Sequence, residues 1–139
     1  MVLGFRELRV WQAAMDLVAE IYVTTGTFPR NETYGLSSQL QRAAVSVASN
    51  IAEGQGREHV KEFLHFLSLA RASLAELITE IEIAGRLHLV APDQSARLVA
   101  ACEQLYKQLF ALRRSLLVRP VSVGTDPKVA RAQPTTDNR

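Results

Sequence analysis

Apolar residues recur at alternating spacings of three and four along four segments of the chain, which is the period of an amphipathic α-helix. The first segment runs from about Phe5 to Thr25. Its a/d-type pattern predicts a core face made of Leu8, Trp11, Met15, Val18, Tyr22 and Thr25. On that interpretation Val10 and Leu17 lie on the opposite face of the same helix.

The second segment is rich in small residues and ends at a pair of glycines. Its predicted core face consists of Leu36, Leu40, Ala43, Ala44, Val47, Ile51 and Gly54. Alanine at these positions allows a neighbouring backbone to approach closely. We expect the helix to end at Gly54 and Gly56, because glycine adopts the φ angles that a helix end and a turn require.

The third and fourth segments repeat the pattern at greater length. The third begins after Arg57, and its predicted core face consists of Val60, Phe63, Leu67, Ala70, Leu74, Leu77, Ile81 and Ala84. Leu69 and Ile83 fall on the opposite side. Gly85 ends it, and Pro92 opens the fourth helix, since proline is favoured in a first turn. The core face of that helix consists of Leu98, Cys102, Leu105, Leu109, Leu112 and Leu116.

No strand pattern competes with these four segments, and the links between them are short. The sequence therefore predicts an all-α fold, an antiparallel up-down-up-down four-helix bundle over residues 1–119. Residues 120–139 hold too few large apolar side chains to offset the entropy of ordering them. We expect a flexible C-terminal tail there.

The fourth helix carries more apolar surface than a four-helix core can bury. A second stripe, rotated by about 120° from the first, contains Val99, Tyr106, Phe110 and Leu117. A stripe with two aromatic residues is more typical of an interface than of a free surface. We predict that this stripe, together with Leu69, forms a homo-oligomer interface.

Composition and charge restrict the function. The chain has 139 residues, a formal charge of +2 and one cysteine, Cys102, so it cannot form an internal disulfide or a cysteine zinc site. Residues 1–117 contain twelve basic and twelve acidic residues, so only a local patch could attract nucleic acid. The apolar runs are too short to span a membrane and the N-terminus lacks a signal-peptide pattern, so a cytoplasmic protein is expected.

Catalytic chemistry finds little support in the sequence. Glu62 and His65 form a Glu-x-x-His pair, but a di-iron bundle needs that pair on two helices and the chain has only one. Cys102 lies on an apolar stripe without a basic neighbour, which favours a packed thiol over a nucleophile. No nucleotide-binding or hydrolase motif occurs. We therefore expect no catalytic residue, metal or cofactor.

Polar residues border the core between the second and third helices. They are Ser46, Asn50, Glu53, Ser73 and Glu76. One interpretation is a hydrogen-bonded cluster that fixes the register of the two helices, because polar groups beside a core need partners. The alternative is that Asn50, Glu53 and Arg57 face a ligand or nucleic acid. We favour the structural interpretation.

Basic residues gather at one end of the predicted bundle. In an up-down-up-down arrangement the start of helix 1, the junction of helices 2 and 3, and the end of helix 4 coincide. The cations placed there are Arg6, Arg9, Arg57, Lys61, Arg113, Arg114 and Arg119. Four glutamates dilute this patch to a small positive excess. We predict phosphate contacts with little sequence preference.

The run NIAEG at residues 50–54, followed by Arg57 and by Ser73-Leu74 with Glu76-Leu77, resembles the proteins of 23S rRNA intervening sequences. The resemblance extends from about Phe5 to Leu117 and includes an opening F-x-x-L-x-V-W at residues 5–11. Ala72 departs from it, since the family usually has glycine before the serine. The resemblance implies a four-helix bundle, a pentamer, and binding of RNA or DNA.

Three classes of function remain open on these grounds. The first is a non-enzymatic oligomeric protein that contacts RNA or DNA, as the resemblance suggests. The second is a protein–protein scaffold or accessory subunit, which the surplus apolar stripe supports equally well. A metal-dependent enzyme is the weakest of the three, and graded-salt binding assays would separate the first two.

Overall fold

The computed structural model describes residues 4–33 and 35–118, and within them the chain forms helices joined by short links. The α-helices are α1 (Gly4–Glu7), α2 (Arg9–Thr25), α3 (Leu36–Gln55), α4 (Val60–Arg86) and α5 (Pro92–Leu117). A short 3-10 turn, Arg30–Glu32, precedes α3. No β-strand occurs in the described part of the chain, and the predicted all-α four-helix bundle is confirmed.

Contacts between α3 and α4 show that these two helices run antiparallel. Ser46 meets Ser73, while Gly54, two turns later in α3, meets Phe66, two turns earlier in α4. The α2–α5 pair is antiparallel in the same way, because Gln94 at the start of α5 bonds to Thr24 at the end of α2. The up-down-up-down course therefore brings the start of α2, the end of α3, the start of α4 and the end of α5 to one end of the bundle.

The core receives large side chains from all four long helices, which interdigitate along the bundle axis. Fully buried are Ile21, Leu40, Val47, Ile51, Leu67, Leu74, Leu77, Ile81, Cys102, Leu105 and Leu109. The predicted core faces of α3, α4 and α5 are confirmed apart from Val60, the first residue of α4, which is exposed. Leu69 and Ile83 are exposed, as predicted.

The prediction for the first helix was wrong in two respects. The helix breaks at Leu8, which adopts an extended conformation between α1 and α2. The buried face of α2 contains Val10, Ala14, Leu17 and Ile21. Met15 and Tyr22, which the sequence placed in the core, are 42% and 48% exposed. Two apolar stripes compete on this helix, and the one with the small Ala14 faces the core.

The two glycines at the end of α3 act differently from the expectation based on φ angles. Gly56 caps the helix with a right-handed φ of −78°, which any residue adopts, and Gly54 lies inside the helix. A left-handed φ of 60° occurs instead at His88, after α4. Leu89 N–H bonds to Ala84 O at 2.9 Å and His88 N–H to Gly85 O at 3.1 Å, which completes a Schellman-type helix end.

Two further predictions concern helix boundaries and the tail. Pro92 begins α5 as predicted. The tail, residues 120–139, lies outside the described residues. Among the helices that the structure describes, none combines the length and the hydropathy needed to cross a lipid bilayer.

Candidate nucleic-acid interface

Cationic side chains from α1, α2, α4 and α5 lie at the end of the bundle where α4 begins. Arg6 belongs to α1, Arg9 begins α2, Lys61 lies in the first turn of α4, and Arg113 and Arg114 lie in the last turns of α5. Arg57 occupies the α3–α4 link and is exposed. Arg119, the seventh predicted cation, lies outside the described residues.

A groove of about 800 Å³ brings three of the predicted cations together on the α4–α5 side of this end. They are Arg57, Lys61 and Arg113, and the groove also takes in Arg71, which sequence analysis did not select. Its full lining is Arg57, Lys61, Glu62, Leu64, His65, Phe66, Ser68, Arg71 and Arg113. Four cationic groups thus share one groove with a single carboxylate, that of Glu62. We call it the α4–α5 groove.

The other three predicted cations that the structure describes lie outside this groove. The Cζ atom of Arg6 lies 4.8 Å from the ring centroid of Phe5, which makes an edge contact with Trp11. Arg9 lines a separate cleft between α2 and α5, together with Gln108. Arg114 is exposed on α5. The predicted patch therefore divides into one shared groove and three separate cations.

Arg57 is held from two directions. Its Cζ atom lies 4.8 Å from the centroid of the Phe66 ring, and its Nη2 donates to Oε2 of Glu53 at 3.2 Å. Because both members of this ion pair are exposed, the pair contributes little to stability. Its main effect is orientation, since the guanidinium is held over the half-buried aromatic ring.

Arg71 and Lys61 lie at opposite ends of the groove. Arg71 makes an aromatic contact of its own. Its Cζ atom lies 5.6 Å from the ring centroid of Tyr106 on α5. The buried Nε has no hydrogen-bond partner among residues 4–33 and 35–118. Sequence analysis missed Arg71 because its helical position gave no sign that Tyr106 on another helix would hold it. The same limit applies to Phe66.

The polar cluster forms around Ser46 and includes only part of the proposed set. The hydroxyls of Ser46 and Ser73 lie 2.7 Å apart across the α3–α4 interface. Asn50 Nδ2 donates to Ser46 O at 2.8 Å and to Ser46 Oγ at 3.1 Å. Glu53 turns instead to Arg57, and Glu76 is exposed. The three clustered residues link the two helices, whereas the two carboxylates lie outside the cluster.

One buried carboxyl was not selected from the sequence. Glu80 on α4 is 5% exposed, and its Oε1 is buried without a hydrogen-bond partner in the described chain. The pKa of Glu80 is raised to about 7, chiefly by burial and also by the negative charge of Glu76, while Arg42 opposes the shift. Glu80 lies on the core-facing stripe of its helix, so the helical period could have indicated a buried position. An acidic residue, however, gave no reason to expect burial.

The side chains that could bind a metal or act as a nucleophile do not form a common site in the described part of the chain. Among the described residues no group of three or more His, Cys, Asp or Glu could hold a metal ion. The Cys102 thiol is fully buried, and burial, followed by the charges of Glu103 and Glu20, raises its pKa to about 12. A thiol in that environment is protonated and packed, which agrees with the interpretation of Cys102 as a core residue.

The predicted oligomer stripe lies mostly on the surface of the single chain. Leu69 and Tyr106 are exposed, as are Phe110 and Leu117 at 48% and 55%. Val99 differs, because it is half-buried and packs against the core. Four of the five proposed interface residues are thus free to contact another molecule.

Comparison with known proteins identifies the chain. A solved structure of similar fold is a protein of unknown function from the S23 ribosomal protein family of Bacteroides thetaiotaomicron. It matches with a TM-score of 0.68 and 18% identity over 75% of this chain and 97% of that one, which supports the fold alone. Curated proteins gave no match. The family model of the 23S rRNA-intervening sequence proteins matches residues 6–111, and the chain belongs to that family.

Proposed function

We propose that this chain is a non-enzymatic, homo-oligomeric protein that binds RNA or DNA through phosphate contacts, with little sequence preference. The observation that supports the proposal is the α4–α5 groove, in which four cations, Arg57, Lys61, Arg71 and Arg113, outnumber the carboxylate of Glu62 in the lining and that of Glu53, which pairs with Arg57. Arginine and lysine are the side chains that bind phosphate best. The helical part of the chain has no net charge, so this local excess is the source of attraction.

In this proposal the protein recognises the charge and shape of the nucleic acid and not its base sequence. Half or more of protein–nucleic acid hydrogen bonds go to phosphate and sugar, and such contacts carry no sequence information. The cations of the groove come from the α3–α4 link and from the sides of two packed helices. Neither helix is free to enter a major groove as a recognition helix does.

Oligomerisation would strengthen such binding. The family resemblance implies a pentamer, and the exposed stripe of Leu69, Tyr106, Phe110 and Leu117 gives a surface for assembly. Several grooves on one particle would engage one nucleic acid together, so weak single contacts would sum through effective concentration. The same stripe is the observation that favours the second candidate, a protein–protein scaffold without nucleic-acid contact.

The test removes three charges of the groove and compares the result with the loss of three charges elsewhere. The variant is Arg57→Ala with Lys61→Ala and Arg113→Ala. Its control is Arg30→Ala with Arg86→Ala and Arg97→Ala, which lie at the opposite end of the bundle. Binding to structured RNA and duplex DNA is measured at low and at physiological salt.

With four cations in each groove, log Kd is expected to change with log salt concentration with a slope of about 3 to 4 in magnitude for each groove that engages. The groove variant should lose most of that slope, and the control should keep it. Unchanged binding by the groove variant, or no binding by the wild type even at low salt, would favour the scaffold.

A further inference from the structure

The α4–α5 groove has the length of a short single strand. It extends along α4 from Lys61 to Arg71, which is about 15 Å at a rise of about 1.5 Å per residue. A stacked strand rises about 3.4 Å per nucleotide, so the groove accommodates about four nucleotides. This is the lower end of the range for folds that bind single strands.

The capacity of the groove also favours a single strand over a duplex. Its volume of about 800 Å³ is comparable to that of a site for a drug-sized molecule. A double helix is far larger than this volume, so it could contact the groove only from outside. A single strand can lie along the floor and place successive phosphates near both ends of the cationic row.

A stacking surface adjoins this row. The guanidinium group of Arg57 lies over Phe66, with 4.8 Å between Cζ and the ring centroid. Phe66 is half-buried, so the ring is anchored, and the exposed Arg57 presents its outer side to solvent. Unpaired bases stack on aromatic rings and on arginine planes, whereas the paired bases of a duplex are already stacked.

We infer that the α4–α5 groove binds a single strand of RNA or DNA in preference to a duplex, with the Arg57–Phe66 pair as the stacking platform for one base. The inference rests on the proposed function and specifies its ligand. Lys61, Arg71 and Arg113 contact the phosphates. Ser68, which also lines the groove, offers a hydroxyl to the sugar or phosphate.

The experiment separates stacking from charge. The probes are a fluorescent oligothymidine of about eight nucleotides, long enough to fill one groove, and a hairpin duplex of about eight base pairs. Arg57→Lys keeps the charge and removes the planar group that stacks. Arg113→Lys is the matched control, because it makes the same exchange at a groove arginine for which no aromatic contact is found among the described residues.

Arg57→Lys should weaken binding of the oligothymidine at least about fivefold and leave its salt dependence unchanged. Arg113→Lys should weaken binding by a smaller factor than Arg57→Lys, because lysine keeps the charge at the phosphate contact and no stacking surface is lost. Phe66→Leu, which removes the ring beneath Arg57, should reproduce the Arg57→Lys loss, provided that its thermal unfolding shows a folded protein. Because Arg57 is exposed, its own variant keeps the test valid if Phe66→Leu does not fold.

The wild type should bind the oligothymidine more tightly than the hairpin duplex at equal salt. Equal or tighter binding of the duplex, with salt dependence retained, would overturn the single-strand inference and leave the proposed function intact. Equal losses from Arg57→Lys and Arg113→Lys would overturn the stacking platform. Failure to bind either probe at low salt would remove the proposed function as well.

Discussion

Gly54 of α3 and Phe66 of α4 lie in direct contact where the two helices pack against each other. A Cβ atom at position 54 would lie 2.7 Å from Cβ of Phe66 and 3.0 Å from Cδ1 of Phe63. Real Cβ atoms do not approach so closely, so the two helices can meet here only because residue 54 has no side chain. Because the guanidinium of Arg57 lies over the Phe66 ring, the contact between Gly54 and Phe66 also positions one wall of the α4–α5 groove.

Gly54→Ala should therefore destabilise the protein. Alanine favours a helix interior by about 1 kcal/mol over glycine, but overpacking against the phenylalanines should cost about 1–3 kcal/mol. The free energy of urea unfolding measures the balance, and we expect a net loss. Nucleic-acid affinity should fall in parallel, because separating the helices displaces Phe66.

Gly56→Ala is the control for this prediction. Gly56 has a right-handed φ of −78°, and the nearest atom to an added Cβ would lie 3.6 Å away. Alanine fits there without strain, so the substitution should be neutral or stabilising by about 0.4–1 kcal/mol. A Gly54→Ala protein as stable as Gly56→Ala would show that the α3–α4 crossing relaxes freely.

The sequence predicted the core face well on α3 and α4, where one apolar stripe dominates, and on α5, where the stripe of leucines is buried and the second stripe is mostly exposed. It failed on α2, where Val10 and Leu17 compete with Met15 and Tyr22. The large side chains of Met15 and Tyr22 made their stripe look like the core face. Side-chain size alone does not show how closely the neighbouring helices pack. Ala14 is fully buried and permits that approach.

The candidate site was predictable only in part. Topology was sufficient to bring Arg57, Lys61 and Arg113 together, since helix order determines which ends coincide. The contacts of Arg57 with Phe66 and of Arg71 with Tyr106 depend on rotation of helices about their own axes. Helical period alone cannot give the relative rotation of two packed helices, and the stacking surface was missed for that reason.

Charge on the exposed stripe of α5 should dissociate the proposed homo-oligomer. Tyr106→Glu with Phe110→Glu places two carboxylates where aromatic rings would be buried, and an unpaired buried charge strongly opposes association. Light scattering should report smaller particles with unchanged helical circular dichroism. Only particle mass is informative for this variant, because Tyr106 also supports Arg71.

Tyr22→Glu with Val23→Glu is the matched control for the α5 stripe. Both residues are exposed on α2 outside the proposed interface, and the change in charge is the same. The control should keep the mass of the wild type. A wild-type protein that is monomeric at high micromolar concentration would contradict the proposed assembly directly.

Glu80 should make the stability of the bundle depend on pH. Its carboxyl has a pKa of about 7 in the fold and 4.5 as the unperturbed value, chiefly because it is buried. Between these values the folded chain binds a proton that the unfolded chain releases. The stabilising contribution of the protonated group is complete below about pH 4.5 and is lost as the pH rises through 7. Glu76 on its own helix raises the pKa of Glu80, and Arg42 on α3 opposes that shift.

Glu80→Gln tests this dependence, because the amide stays neutral at every pH. Urea unfolding at pH 5 and pH 8 should show that the variant gains about 2–3 kcal/mol relative to the wild type between the two conditions. Glu82→Gln changes an exposed residue of the same helix, and its difference from the wild type should be the same at both pH values. If Glu80→Gln behaved like Glu82→Gln, the Glu80 carboxyl would have to be ionised and solvated in the folded protein, and its burial in the bundle would be wrong.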